Sequence, residues 1–176
     1  GEMSYFLRAF QKLTIKKPHT WALIVGYGQL FKEIEFEMLS LALGSRVLMV
    51  GAVSSARLLE LICLADVLVN LSSRTTEFET TLLEAMAQKK IIIASELNPL
   101  ATIVDDGRDG FLVRPADIQA LSSLLIEIFA GQVSVVEIGE QALRKVVNLF
   151  DINKMVNETI RAYYQILKTT PHFKGG

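Results

Sequence analysis

The sequence is poor in the residues that most readily declare a chemistry. Its one cysteine, Cys63, cannot close an internal disulfide, and within LLELICLADVLV it reads as a small buried hydrophobe. The two histidines, His19 and His172, stand far apart in polar surroundings, so there is no Cys/His cluster to hold zinc. The chain has neither a G-x-S-x-G elbow nor a Walker lysine, and metal and hydrolase-triad readings fall away. An excess of one charge is missing too: 18 basic and 19 acidic residues leave a net charge of −1. That balance gives no overall footprint for nucleic acid or an anionic membrane surface, so any polyanionic partner must be met locally. No apolar run approaches the roughly 20 residues that span a bilayer, and GEMSYFLRAF lacks the apolar core of a signal peptide. The expectation is a cytoplasmic domain, with no membrane span in this chain.

Apolar residues are abundant: 51% of 176 residues are hydrophobic, enough to fill the core of one domain. Met3, Phe6, Leu7, Phe10 and Leu13 recur at helical spacing, which predicts an opening amphipathic helix that stops before KKPH. Short, wholly apolar segments follow at TWALIV, RVLMVG, DVLVNL, KIIIAS and GFLVRP, alternating with helical patterns. Helices are expected over roughly 117–130, 134–149 and 152–168. Strands that are apolar throughout and alternate with helices predict an α/β doubly wound parallel sheet, Rossmann-like, covered on both faces. Ligands bind such sheets beyond the carboxyl ends of the strands, here residues 26–29, 51–55, 72–81 and 95–99.

Each candidate in those loops has two readings. Gly26 and Gly28 could let backbone N–H groups approach a phosphate, or could simply make a tight strand-to-helix turn. Phe31 stands where a dinucleotide fingerprint needs its third glycine, so a nicotinamide or flavin dinucleotide is disfavoured. Gly51, Ala52 and Val53 end a strand and could face a base, while Ser54 or Ser55 serves equally well as a helix cap. Thr81 and Glu84 have capping-box spacing, but a carboxylate at this edge could instead accept two hydroxyl hydrogen bonds from a ribose. Glu77 and Glu79 flank Phe78, and near a phosphate they would need a cation to offset them; Arg74, Lys89 and Lys90 are candidates.

Taken in order, LIVGYG, VLMVGAVSS, LADVLVNLSSR, LLEAMA, IIIAS and IVDDGRDGFLVRPADIQAL resemble the carboxyl-terminal, donor-binding half of the GT-B glycosyltransferases of family 4, the group 1 retaining enzymes. The resemblance runs from about residue 5 to residue 130, and DINKMVNETIRAYYQIL resembles the family's terminal helix. It implies that residues 1–176 form a nucleotide-sugar binding domain, with 151–176 as terminal helix and tail. Glu84 matches the glutamate that holds the ribose. The family's other glutamate, which contacts the transferred sugar, falls on Thr76 by strict spacing. A one-residue slip in the loop places it on Glu77 and keeps Phe78 in register as the conserved aromatic, with Glu79 replacing a glycine; we prefer the slip. Diphosphate donors would come from Phe78, Glu79, Thr80, Thr81 and Leu82.

The resemblance further implies a UDP-, GDP- or ADP-sugar as donor substrate, with no prosthetic group and no metal. The family enters this domain through a strand bearing an arginine and a following lysine; here that strand, both bases and the whole acceptor domain are absent, with Gly1 at the glycine after the lysine. The expectation is an excised half, unable to transfer sugar alone; any peripheral membrane association of the full-length protein would come through the missing half. The family's Cys-Gly-x-Pro is here Gln88-Lys89-Lys90-Ile91, and its Gly-Gly-x-x-Glu is Asn98-Pro99-Leu100-Ala101-Thr102. The rival expectation is a non-catalytic relative serving as partner or scaffold, its donor loop having drifted.

Overall fold

The computed structural model describes residues 1–26, 28, 30–72 and 77–149. Helix α1 (Glu2–Lys16) opens the chain, burying Leu7, Phe10 and Leu13 along one stripe while the rings of Phe6 and Phe10 stack 5.7 Å apart. It ends where Pro18 can no longer supply a helical N–H, and the Lys17 N–H closes the last turn on the Leu13 carbonyl. Strands and helices then alternate: β1 (Ala22–Val25), α2 (Phe31–Ser40), β2 (Val47–Gly51), α3 (Ser55–Leu64), β3 (Val67–Asn70), α4 (Glu77–Ala87) and β4 (Ile91–Ser95). A single-turn helix α5 (Leu100–Ile103), β5 (Phe111–Val113), α6 (Ile118–Phe129) and α7 (Val135–Leu149) complete the described residues. The expected terminal helix at 152–168 and the tail lie outside them.

All strand pairs are parallel, as the uninterrupted apolar runs predict. Strand β4 shows why: all of its residues are buried, and successive side chains enter different cores. Ile91 and Ile93 pack with α1 and α6, whereas Ile92 and Ala94 pack with α4 and with Leu100 and Val104. Burying a side chain such as Ile92 contributes about 1.5–3 kcal/mol, so this strand anchors both helical layers.

Two details refine this architecture. Among the described residues the sheet is not continuous: β1 pairs with β2, and β3, β4 and β5 form a second sheet, leaving one edge of β1 and one of β3 unpaired. The two sheets nonetheless share one buried cluster, which holds Ile24 and Val47 together with Ile93 and Val113. Nor do the described residues cover the β1–β2 pair on both faces. Ala22 and Ile24 point inward, but Leu23 is 44% and Leu48 60% exposed on the opposite face. An apolar strand predicts the capacity for two-sided burial, which this pair uses on one side only.

Candidate functional site

The carboxyl ends of the strands gather the residues singled out above. Gly26 and Gly51 are joined directly, the Gly26 N–H donating to the Gly51 carbonyl at 2.8 Å. Their φ values of +130° and +78° are left-handed and favour glycine, so both turns depend on that residue type. Gly28 is exposed, and its carbonyl accepts from the Phe31 N–H at 3.1 Å, closing the turn into α2. Ala52 is exposed and Val53 half-buried on the β2–α3 loop. Ser54 takes the bland role: its Oγ accepts from the Arg57 N–H at 3.2 Å and caps α3.

Helix α4 begins earlier than its composition suggested. It starts at Glu77, so Thr81 lies inside the helix and is not its N-cap, and the Thr81–Glu84 capping box does not form. Within the helix, the N–H groups left without intrahelical acceptors are those of the first turn, at residues 77–79; those of Thr80, Thr81 and Leu82 belong to the helical ladder. Phe78 and Glu79 are thus residues of the first helical turn, where the sequence pattern placed a loop. Thr76 and Arg74 lie outside the described residues. Thr80 is exposed, Thr81 half-buried, and Leu82 fully buried in the core against Ile92.

Glu84 sits two turns into α4, about 10 Å along the axis from Glu77 at 1.5 Å per residue. It is half-buried, and its carboxylate has no hydrogen bond or ion pair among the described residues. The cations considered as charge partners for the acidic loop are used elsewhere. Lys89 pairs with Glu140 at 2.6 Å, holding that carboxyl below its usual range, and Lys90 donates to the Cys63 carbonyl at 2.7 Å. Cys63 itself is exposed, contrary to expectation, because α3 turns Leu61 and Ile62 inward and Cys63 outward.

One residue escaped the sequence reading. Asn70, at the end of β3, is buried; its Oδ1 accepts from the Ser72 N–H at 3.0 Å, but its Nδ2 is buried with no acceptor among the described residues. An unsatisfied buried amide costs about 1–3 kcal/mol. The signal was a polar residue ending an otherwise apolar strand in DVLVN. Beside it, the ends of β4 and β5 open into a cleft lined by Tyr5, Leu71, Ser95, Arg114 and Asp117. Among the described residues no Cys, His, Asp and Glu cluster could hold a metal ion, and no helix is long and apolar enough to cross a membrane.

Comparison with known proteins gives this edge a context. The family of Glycosyl transferases group 1 matches residues 2–145. The N-acetyl-alpha-D-glucosaminyl L-malate synthase of Bacillus anthracis is 26% identical over 162 residues, which are 92% of this chain and 42% of that protein. Anabaena HepE, solved in complex with UDP and glucose, superposes with a TM-score of 0.77 at 22% identity over 90% of this chain and 44% of its own. The sucrose-phosphate synthase of Thermosynechococcus elongatus superposes with a TM-score of 0.77 at 24% identity, over 96% of this chain and 43% of its own. The chain therefore spans less than half the length of these relatives, and its fold is the Rossmann-like carboxyl-terminal half of a GT-B glycosyltransferase.

Proposed function

The chain belongs to the group 1 glycosyl transferases, and from that membership we propose that it is the donor-binding half of a retaining enzyme that moves a sugar from a nucleotide sugar to an acceptor held by another domain. The UDP and glucose of the HepE complex support a nucleotide-diphosphate sugar as the donor class. The observation that carries the reading is Glu84, a half-buried carboxylate without a partner among the described residues once the capping box is seen not to form. A carboxylate in that condition is suited to two charge-assisted hydrogen bonds from the ribose hydroxyls.

The diphosphate would lie at the start of α4, where the free N–H groups and the positive end of the helix dipole favour an anion. Charge on the departing diphosphate is what this arrangement would stabilise as the anomeric bond breaks, while Glu77 orients the sugar. The interrupted sheet agrees with a half-protein. A parallel strand joined through α1 to β1 would lie beside β1 and fill the break next to β3. In that arrangement the isolated chain binds donor weakly and transfers nothing.

The test is a chemical-shift titration of the chain with UDP, GDP and ADP, repeated with Glu84→Ala. One nucleotide should shift amides at 26–28, 51–53 and 77–82. The variant should weaken binding roughly tenfold or more, as loss of hydrogen bonds to a charged group worth about 1.5–3 kcal/mol requires. Equal shifts in the variant would remove Glu84 from the site, and silence with every nucleotide in the full-length protein would defeat the reading.

A further inference from the structure

The edge of the fold opposite the donor site carries a charge pattern that the net charge conceals. Between Glu2 and Glu33 the chain contains no acidic residue but holds Arg8, Lys12, Lys16, Lys17 and Lys32. Between Glu37 and Glu60 there is again none, while Arg46 and Arg57 are present. Folding brings the centres of these two stretches together at the amino end of the β1–β2 sheet. The Ala22 N–H donates to the Arg46 carbonyl at 2.9 Å, and the Arg46 guanidinium lies over the Trp21 ring, 5.1 Å from its centroid. The Thr20 N–H and hydroxyl both bond back to the Lys17 carbonyl, so the end of α1 and Trp21 belong to one tightly folded turn.

Several cations on the rest of the surface are engaged by acids. Arg8, Arg57, Lys89, Arg114 and Lys145 each face a carboxylate. Lys16, Lys17 and Arg46 face none among the described residues, Lys12 donates to the neutral Gln119 Oε1 at 2.8 Å, and the one acidic residue of the neighbouring α6 is Glu127 in its last turn. Lys12, Ile15 and Lys16 share a helix stripe by their i, i+3 and i+4 spacing, directed away from the buried Leu13. Two large apolar side chains stand out among these bases: Ile15 is 73% exposed and Trp21 67%. Unpaired lysines and arginine around a projecting tryptophan and isoleucine match a surface that is anionic outside and apolar just beneath, which is the chemistry of a bilayer interface.

We propose that this end of the fold docks on an anionic lipid bilayer, with Trp21 and Ile15 entering the headgroup layer and Lys16, Lys17 and Arg46 lying on the lipid phosphates. Nucleic acid fits less well, because an exposed aliphatic Ile15 beside Trp21 offers nothing to a phosphate backbone or a base stack. Docking here leaves the carboxyl edge of the strands, with Gly26, Gly51 and α4, turned away from the membrane and open to a soluble ligand.

Trp21 is the one tryptophan of the sequence, so its fluorescence reports this contact directly. The 176-residue chain is mixed with vesicles of phosphatidylcholine, with and without phosphatidylglycerol, and followed by emission and co-sedimentation. The expected result is a blue shift and sedimentation with the anionic vesicles only, both reversed by added salt. Lys16→Gln with Lys17→Gln should weaken binding about 25-fold, at roughly fivefold per base removed, and Trp21→Ala should reduce sedimentation while circular dichroism stays unchanged. Equal binding to neutral vesicles, sedimentation without a blue shift, or no vesicle binding would each overturn the proposal. A fluorescence response to single-stranded RNA without one to vesicles would assign the patch to nucleic acid instead.

Discussion

Replacing Lys145 by methionine keeps a side chain of similar length and removes one charge from a clamp that the structure builds around the DDGRDG turn. The Lys145 ammonium lies 2.9 Å from the Asp109 carboxylate and 3.1 Å from that of Asp105, bridging α7 to the turn before β5. Exposure decides which contact matters: the Asp109 side chain is 3% exposed and that of Lys145 20%, whereas Asp105 is 58% exposed. The Asp105 pair alone would be worth little. Asp109 also accepts the Asp105 N–H at 2.8 Å, so it cannot move to water without opening the turn. Removing one partner of a buried pair costs about 3–5 kcal/mol. The partly exposed ammonium argues for the lower end, about 3 kcal/mol out of a total near 5–15 kcal/mol. In urea, with a slope of about 2 kcal/mol/M, the unfolding midpoint should fall by roughly 1.5 M.

Adding Asp109→Asn, which keeps an acceptor for the Asp105 N–H, should recover at least about 1 kcal/mol relative to the sum of the single changes. Acid titration supplies a second reading. Hydrogen bonding from Lys145 holds the Asp105 carboxyl below its ordinary value of 3.8. Its folded pKa is therefore lower than its unfolded one, so the contribution is complete above the unfolded value and fades as pH falls through the folded value. In the methionine variant that part of the acid limb should flatten. A midpoint within about 0.25 M of the parent, which is about 0.5 kcal/mol at that slope, or strict additivity of the two changes, would refute the clamp.

The remaining predictions concern packing and capping. A Cβ added at Gly139 would stand 2.5 Å from the Lys89 carbonyl oxygen, a backbone atom, so Gly139→Ala should destabilise by about 1–3 kcal/mol. Since alanine normally gains about 1 kcal/mol over glycine inside a helix, the sign is the test, and a raised melting temperature would place α7 farther from that turn. Asp117 caps α6, its Oδ1 accepting from the Ala120 N–H at 2.8 Å. Asp117→Ala should cost about 1 kcal/mol and lower the melting temperature by about 2–4 °C, and an unchanged melt would show that water replaces the cap.

How much could be read before folding differed by element for physical reasons. The five apolar runs became the five described strands because a short run bounded by Gly, Pro or charge has few alternatives. The helices over 118–129 and 135–149 fell within a residue of expectation, the first because Asp117 marks its start chemically. Pairing was not legible. Nothing in LIVGYG or DVLVNL states that β1 and β3 lack a common neighbour, because an edge strand and a central strand can carry the same apolar letters. Cys63 failed similarly: its apolar setting was correct, but which of three adjacent residues faces inward depends on how α3 rotates against α4.

The site depends on where one helix starts. Thr-x-x-Glu is the spacing of a capping box, and a local pattern cannot say that four more residues, Glu77 to Thr80, will join the helix ahead of it. That extension changes the chemistry in two ways. It removes the local partner that would have satisfied Glu84, leaving a half-buried carboxylate to find its donors elsewhere. It also moves the free N–H groups of α4 back to residues 77–79, so that an anion at the helix start and hydroxyls at Glu84 would be separated by roughly 10 Å along the helix. A single phosphate cannot span that distance. A nucleoside diphosphate, whose phosphates and ribose are several bonds apart, is long enough to engage both ends, so the two-turn separation is compatible with the donor class proposed above.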